Sequence, residues 1–281
     1  MAEPGGAWAE GWRPKLVALD IDGTLFVPDL ENGFSTDEVT PAVRAGVERV
    51  LEAGVHVVLA SGRAPLSMAR VLDHLGIPRR DGEQVLVVAS NGAVTFSYPP
   101  MHVIDEVTFD ARDAVRAVLE QVPDAAVAIE EHGVGYRVNR HFPDGELDGE
   151  MILTPIEEMV ASEVSRVIIR DPQSTPEDFV RLADRLGLRG TNYFIGWTAW
   201  LDLAPEGVTK ASGLAGVAQR LGVDRGDVLA IGDGRNDIDM LRWAGRGVAM
   251  GQAPDEVKQA ADAVTASVHE DGVAVELAHW F

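Results

Sequence analysis

The chain has 281 residues, 46% of them hydrophobic and 25% charged, a globular balance with length for one large domain or two ordinary ones and no apolar run long enough to cross a membrane. Its 45 acidic residues outweigh 24 basic ones, giving a formal charge of −21 with no cluster of Lys and Arg, and such a field argues against a nucleic-acid partner. Cysteine is absent, which excludes disulfides, thiolate metal sites and thiol nucleophiles; a soluble, cytoplasmic protein with no membrane partner is expected. An anionic substrate would be repelled at long range and must be bound by local groups: a metal, oriented N–H groups or a few placed cations.

Residues 1–14 are rich in Gly and Ala, include Glu3 and Glu10, and lack the basic start and apolar stretch of a secretory signal, so they read as a flexible leader. The run Lys15–Leu19 is the first of four short apolar segments, followed by Val55–Ala60, Val85–Ala89 and Val228–Ile231. Each is rich in β-branched residues and too short for a helix, the pattern of a strand buried on both faces. Between the first two, Val43, Val47, Val50 and Leu51 recur at helical spacing behind Thr40-Pro41, a helix start. A second helix is expected over Ala64–His74, stopped by Gly76 and Pro78. Strand, helix, strand, helix, strand predicts an open α/β sheet.

From about residue 96 the pattern changes. Tyr98-Pro99-Pro100 breaks the chain, and an alternating run (Val103, Asp105, Val107) precedes an amphipathic helix near Asp110–Gln121. Strands are expected at Ala126–Ile129, Gly135–Val138 and Val164–Ile169, a helix near Pro176–Leu186, and an alternating segment over Thr191–Leu203. This predicts an inserted α+β module over residues 96–204, flanked by a sheet domain of residues 15–95 and 205–281. The chain ends in a helix from Gly272 or Val273 to His279.

Asp20, Ser61, Ser90-Asn91 and Gly232-Asp233 each follow the last apolar residue of a predicted strand. In parallel sheets ligands bind at those carboxyl ends. Asp20 and Asp22, two apart beside Gly23, suit a nucleophile with its general acid, or metal ligands, or a plain turn. A calcium loop is ruled out, because Leu25 stands where that loop needs Gly and a strand rather than a helix precedes it. Asp233 and Asp237 open a helix, where Asp also serves as a cap. Together the four carboxylates offer the hard oxygens that Mg²⁺ takes. Lys210, one of three lysines, begins a helix where the insert returns to the sheet and can neutralise a phosphoryl oxygen. Ser61-Gly62-Arg63 at a helix start makes a small anion site.

Four motifs taken in order, Asp20-x-Asp22-Gly-Thr-Leu, Ser61-Gly-Arg, Gly207-Val-Thr-Lys210 and Gly232-Asp233-Gly-x-Asn-Asp237, resemble those of the haloacid dehalogenase (HAD) superfamily, and most closely its Cof-like phosphatases with a type IIB cap. Ser90-Asn-Gly-Ala93, Val248-Ala-Met-Gly-x-Ala253 and Asp271-Gly-Val-Ala274 are also similar. The resemblance spans Lys15 to the last helix and implies an α/β fold: a HAD-like Rossmannoid parallel-sheet core with an inserted α+β C2-type cap. It implies Mg²⁺-dependent hydrolysis of a small phosphorylated metabolite, a sugar or polyol phosphate, by a monomer or homodimer. Asp20 would be the nucleophile and Asp22 the acid and base. Ser61 and Lys210 would grip the phosphoryl oxygens, with Gly62, Asn91 and Asn236 contacting phosphate or substrate. Metal would be held by Asp20, Asp22 (through its carbonyl), Asp233 and Asp237, the last also able to position Lys210. Ala211 and Gln252 depart from the common pattern, and Gln252 could alter a contact at the crevice rim. A phosphomutase or phosphotransferase, or a silent phosphometabolite-binding protein, shares the fold. In the insert, Tyr136, Phe194, Trp197 and Trp200 suit either core packing or a leaving group, and Arg137, Arg140, His132 and His141 receive no role.

Overall fold

The computed structural model describes residues 11–29, 34–35, 38–77, 81–171, 174–175, 178–179, 181–182, 191–195 and 200–281. Strand β1 (Leu16–Leu19) is followed by a short hairpin, β2 (Pro28–Asp29) with β3 (Phe34–Ser35), and then by β4 (His56–Leu59). Next come β5 (Val85–Ala89), β6 (Val94–Tyr98) and β7 (His102–Glu106). The insert contributes β8 (Ala126–Glu131), β9 (Gly135–Val138), β10 (Glu150–Leu153), β11 (Val167–Arg170), β12 (Thr191–Ile195) and β13 (Trp200–Pro205). The chain closes with β14 (Val228–Gly232), β15 (Arg246–Ala249) and β16 (Ala263–Val264).

The core sheet runs β16-β15-β14-β1-β4, every neighbouring pair parallel. The central strands β1 and β14 read as unbroken apolar runs because both faces are covered. Val17, Leu19, Leu229 and Ile231 point into one apolar cluster, while Leu16, Ala18, Val228 and Ala230 point into another on the opposite face. The helix Pro41–Glu52 returns the chain from β1 to β4; the Thr40 hydroxyl accepts from the Val43 N–H, and Val43, Val47 and Val50 are buried. The second helix is Pro65–Leu75 and the last is Gly272–Leu277.

Three expectations need correction. The run Val85–Ala89 is a strand, but it touches the parallel sheet only through a bridge between Val88 and Ala60 and otherwise pairs antiparallel with β6, as β6 does with β7. Tyr98-Pro99-Pro100 is therefore the turn region of a hairpin, not a domain break. Phe96 is fully buried in the core cluster, with Tyr98, Met101 and Val103 packed against it, so residues 96–106 belong to the core domain and the insert begins beyond Glu106. The leader also stops earlier than residue 14: Trp12 packs edge-on against Trp280 at 4.7 Å and donates to the Gly226 carbonyl at 2.9 Å.

The insert is a sheet of order β10-β9-β8-β11-β13-β12. Helix Arg112–Gln121 covers one face, where Val115 and Val118 meet Val127, Ile129, Val167, Leu201 and Leu203. Strand β10, parallel to β9, was not expected, and most of the helix expected near Pro176–Leu186 falls outside the described residues. The opposite face carries Ala128, Tyr136, Val138 and Ile168 in one cluster with Ala64 of the core. Arg70 of the core reaches Asp148 at 2.9 Å, and the Ser90 hydroxyl donates to Glu130 at 2.7 Å. The insert is thus seated on the strand ends of the core. Among the described residues no helix is long and apolar enough to cross a membrane.

Candidate active site

Parallel pairing delivers Asp20 and Ser61 to one edge. The Asp20 N–H donates to the Ile231 carbonyl at 3.0 Å, the Ser61 N–H to Val88 at 3.0 Å, and the Asn91 N–H to Ser61 at 3.0 Å. Two turns demand glycine. Gly23 has φ +83°, and a Cβ there would lie 2.2 Å from Asp233 Oδ2, so the Asp20–Thr24 turn rests directly on the second acidic loop. Gly92 has φ +100°, and a Cβ there would lie 2.0 Å from the Thr209 carbonyl oxygen. The two residues before it, Ser90 and Asn91, are also left-handed at φ 51° and 53°, which costs about 1–2 kcal/mol for a residue with a Cβ, less for Asn. That turn lies against the start of the helix Lys210–Leu221, which Thr209 and Ser212 close with a capping box.

Lys210 is fully buried. Its Nζ donates to Asp20 Oδ1 at 2.5 Å and to Asp237 Oδ1 at 2.6 Å. The other oxygen of Asp237 accepts the N–H groups of Asp233 at 3.0 Å and Gly234 at 2.8 Å. Both oxygens of Asp237 are thus engaged in shaping the loop and holding the lysine. Asp20, Asp233 and Asp237 each bring a carboxylate oxygen within 4.8 Å of the others, all three buried. Burial, then repulsion from Asp237, push Asp20 up to about 7; burial, then Asp20, push Asp233 up to about 8. Burial opposes the charge on Lys210, but Asp20 and Asp237 outweigh it and raise its pKa. Three buried carboxylates facing one ammonium leave a deficit of positive charge among hard oxygens, a donor set that fits a small divalent cation.

Asp22 stands apart from this cluster. Its side chain is 42% exposed, and it accepts from Arg63 Nη2 at 2.6 Å and Nε at 2.9 Å. Ser61 is buried; its Oγ accepts the Arg63 N–H at 3.2 Å and keeps a hydrogen to donate. Gly62 sits against the Asn91 side chain, and Asn236 Nδ2 donates to Asn91 Oδ1 at 3.0 Å. Gln252 joins the Gly23 carbonyl at 2.5 Å to the Val268 N–H at 2.9 Å, so the departure at this position braces the Gly23 turn. The sequence places Arg63 only in the Ser61-Gly62-Arg63 anion site; nothing in its spacing signals a bond to Asp22 across 41 positions.

In the insert Tyr136 is buried and Trp200 packs edge-on against Phe142. Trp197 and the side chain of Phe194 lie outside the described residues. Arg137 pairs with Glu131 and Arg140 with Asp124, while His141 is exposed. His132 lies between Glu130 and Glu106. Glu130 and the buried pair Arg166–Asp202, at 2.8 Å, were not singled out from the sequence.

The model of the haloacid dehalogenase-like hydrolases matches residues 17–277. YkrA of Bacillus subtilis (strain 168), which carries a provisional phosphatase name, is 30% identical over 273 residues, covering 92% of this chain and 95% of its own. Among solved structures, the HAD-superfamily phosphatase BT1666 from Bacteroides thetaiotaomicron is 29% identical with a TM-score of 0.74, covering 99% of each chain. The HAD subclass IIB sugar phosphatase BT4131 is 25% identical with a TM-score of 0.76, covering 94% of this chain and 98% of its own.

Proposed function

Since this chain belongs to the haloacid dehalogenase-like hydrolase family and is a phosphoric monoester hydrolase, we propose that it uses Mg²⁺ to hydrolyse a small sugar or polyol phosphate through a phosphorylated Asp20. The observation that carries this reading is the buried Lys210 bridging Asp20 and Asp237 beside Asp233. A carboxylate held by an ammonium at the open end of a parallel sheet is aimed and charge-balanced for attack on phosphorus.

In the first step an Asp20 oxygen forms a bond to phosphorus as the bond to the leaving alcohol breaks, and Asp22 gives that alcohol its proton. In the second, Asp22 takes a proton from a water that attacks the same phosphorus, releasing phosphate and restoring Asp20. Lys210 and the Ser61 hydroxyl donate to the phosphoryl oxygens, and Asn91 and Asn236 hold the rim beside them. Asp20, Asp233 and the Asp22 carbonyl would hold Mg²⁺, which would supply positive charge for the transferring group. Asp237 keeps Lys210 in place.

The substrate class rests on the likeness to BT4131, a sugar phosphatase, and on the insert face that meets the core. Glu130 lies two residues beyond Ala128, and Arg166 two before Ile168, on the strand face that packs against Ala64. Arg166 Nε and Asp202 Oδ1 are buried without hydrogen-bond partners, and Glu130 adds a carboxylate met by the Ser90 hydroxyl and His132, a set of donors and acceptors suited to a hydroxyl-rich group. The test is phosphate release from a panel of sugar, polyol and aryl phosphates, with and without Mg²⁺, for wild type and Asp20→Asn. Mg²⁺-dependent release abolished by Asp20→Asn is expected. Transfer to an added alcohol in preference to water would instead identify a phosphotransferase, and silence with every phosphate a binding protein.

A further inference from the structure

Asp20 is 4% exposed and locked by Lys210, whereas Asp22, the proposed acid and base, projects from a turn with 42% of its side chain exposed. A carboxyl group so exposed samples several rotamers, and general acid catalysis works only when the proton is within hydrogen-bond reach of the leaving oxygen. Something must aim it.

We propose that Arg63 is a positioning residue whose guanidinium fork holds the carboxylate of Asp22 in line with the leaving group. The inference rests on the phosphatase reading above and adds a residue to it. Two N–H groups of Arg63, on Nη2 and Nε, meet the two oxygens of Asp22 at 2.6 and 2.9 Å, a bidentate contact that fixes the plane of the carboxylate as well as its distance. The fork is itself held. Its guanidinium lies over the Phe26 ring at 5.4 Å, its Nη1 is 3.4 Å from the Ser67 hydroxyl, and 19% of its side chain is exposed. Its backbone is fixed at both ends: the N–H donates to Ser61 Oγ at 3.2 Å, and the carbonyl accepts the Ser90 N–H at 2.9 Å. Ser90 in turn donates to Glu130 of the insert, and Ala64, the next residue, packs in the insert's apolar cluster. Arg63 is therefore a rigid reference between nucleophile loop and insert, and Asp22 is the group it orients. A lysine could supply the charge but not the two-point fork.

The test separates aim from binding by leaving group. With enzyme in excess and Mg²⁺ present, the first turnover of 4-nitrophenyl phosphate, whose phenolate departs without a proton, is compared with that of phenyl phosphate, whose phenolate benefits from one. Arg63→Met should leave the rate of single-turnover 4-nitrophenol release within about threefold of wild type and slow phenol release on the order of 10²-fold, the size of a general-acid contribution. Steady-state turnover should fall for both substrates, because Asp22 must also draw the proton from water. Arg63→Lys should lie between, and carries the same comparison if Arg63→Met does not fold. Release rates that slow equally for the two substrates, rates that do not change, or a raised KM at constant rate would each overturn the assignment. Wild-type protein that releases no 4-nitrophenol would overturn the phosphatase reading itself, and this one with it.

Discussion

Lys210 Nζ lies 2.5 Å from Asp20 Oδ1 across 190 positions of sequence, with neither side chain appreciably exposed. The same ammonium holds Asp237 at 2.6 Å. Removing one partner of a buried ion pair strands the other charge and costs about 3–5 kcal/mol. Lys210→Met should therefore lose stability of that order in EDTA, read by urea unfolding, as well as turnover. Mg²⁺ should return part of the lost stability, because the ion supplies charge to the same carboxylates. An unfolding midpoint unchanged in EDTA would show that Asp20 and Asp237 do not depend on the lysine.

Asp20→Asn keeps the shape of the side chain and its contact with Lys210 while removing the oxygen proposed to attack phosphorus. Phosphate release should fall at least about 10³-fold. The circular dichroism spectrum and thermal midpoint should stay close to wild type, because Asp237 still balances Lys210. Clean protein with substantial residual turnover would transfer the nucleophile's role elsewhere.

The parallel core was legible because Leu16–Leu19 and Val228–Gly232 are buried on both faces and so carry no polar alternation. Asp20, Ser61, Ser90-Asn91 and Gly232-Asp233 each come directly after an apolar run, and that position alone gathers them at the strand ends. Strand β10 was hidden because Glu150, Ile152 and Leu153 are exposed, which leaves no buried face to produce a period. The sequence places the edge of the insert too early because Tyr98-Pro99-Pro100 makes the same local signal in a hairpin turn as in a linker; only the burial of Phe96 in the core tells them apart. The Arg63–Asp22 and Ser90–Glu130 bonds span 41 and 40 positions. They join single polar residues in turns and at a strand end, where composition carries no pairing information.

Metal removal should be felt most at alkaline pH. Burial and neighbouring carboxylates raise Asp20 to about 7 and Asp233 to about 8. Without metal the native protein therefore holds more protons than the unfolded chain between about pH 4 and pH 8. Stability in EDTA should fall as pH rises through that window. Mg²⁺ competes with those protons, so its affinity should weaken as pH drops through 8 and 7. At a hundred times its dissociation constant the ion adds about 2.7 kcal/mol. The thermal shift on adding Mg²⁺ should be larger at pH 8.5 than at pH 5.5, and equal shifts would argue that the ion binds away from Asp20 and Asp233.

His132 joins the two parts of the protein, with Nδ1 3.1 Å from Glu130 Oε1 on β8 and Nε2 2.7 Å from Glu106 Oε1 on β7. Its bond to Glu130, with that to Glu106, outweighs burial and raises its pKa to about 9. The folded value lies above the unfolded one near 6.5, so the stabilisation is complete below pH 6.5 and is lost as pH rises through 9. His132→Gln keeps a polar side chain without the charge. Its thermal midpoint should lie a few degrees below wild type at pH 6 and converge with it by pH 10. A deficit that stays constant across that range would mean that His132 supports the junction by packing rather than by its charge between Glu106 and Glu130.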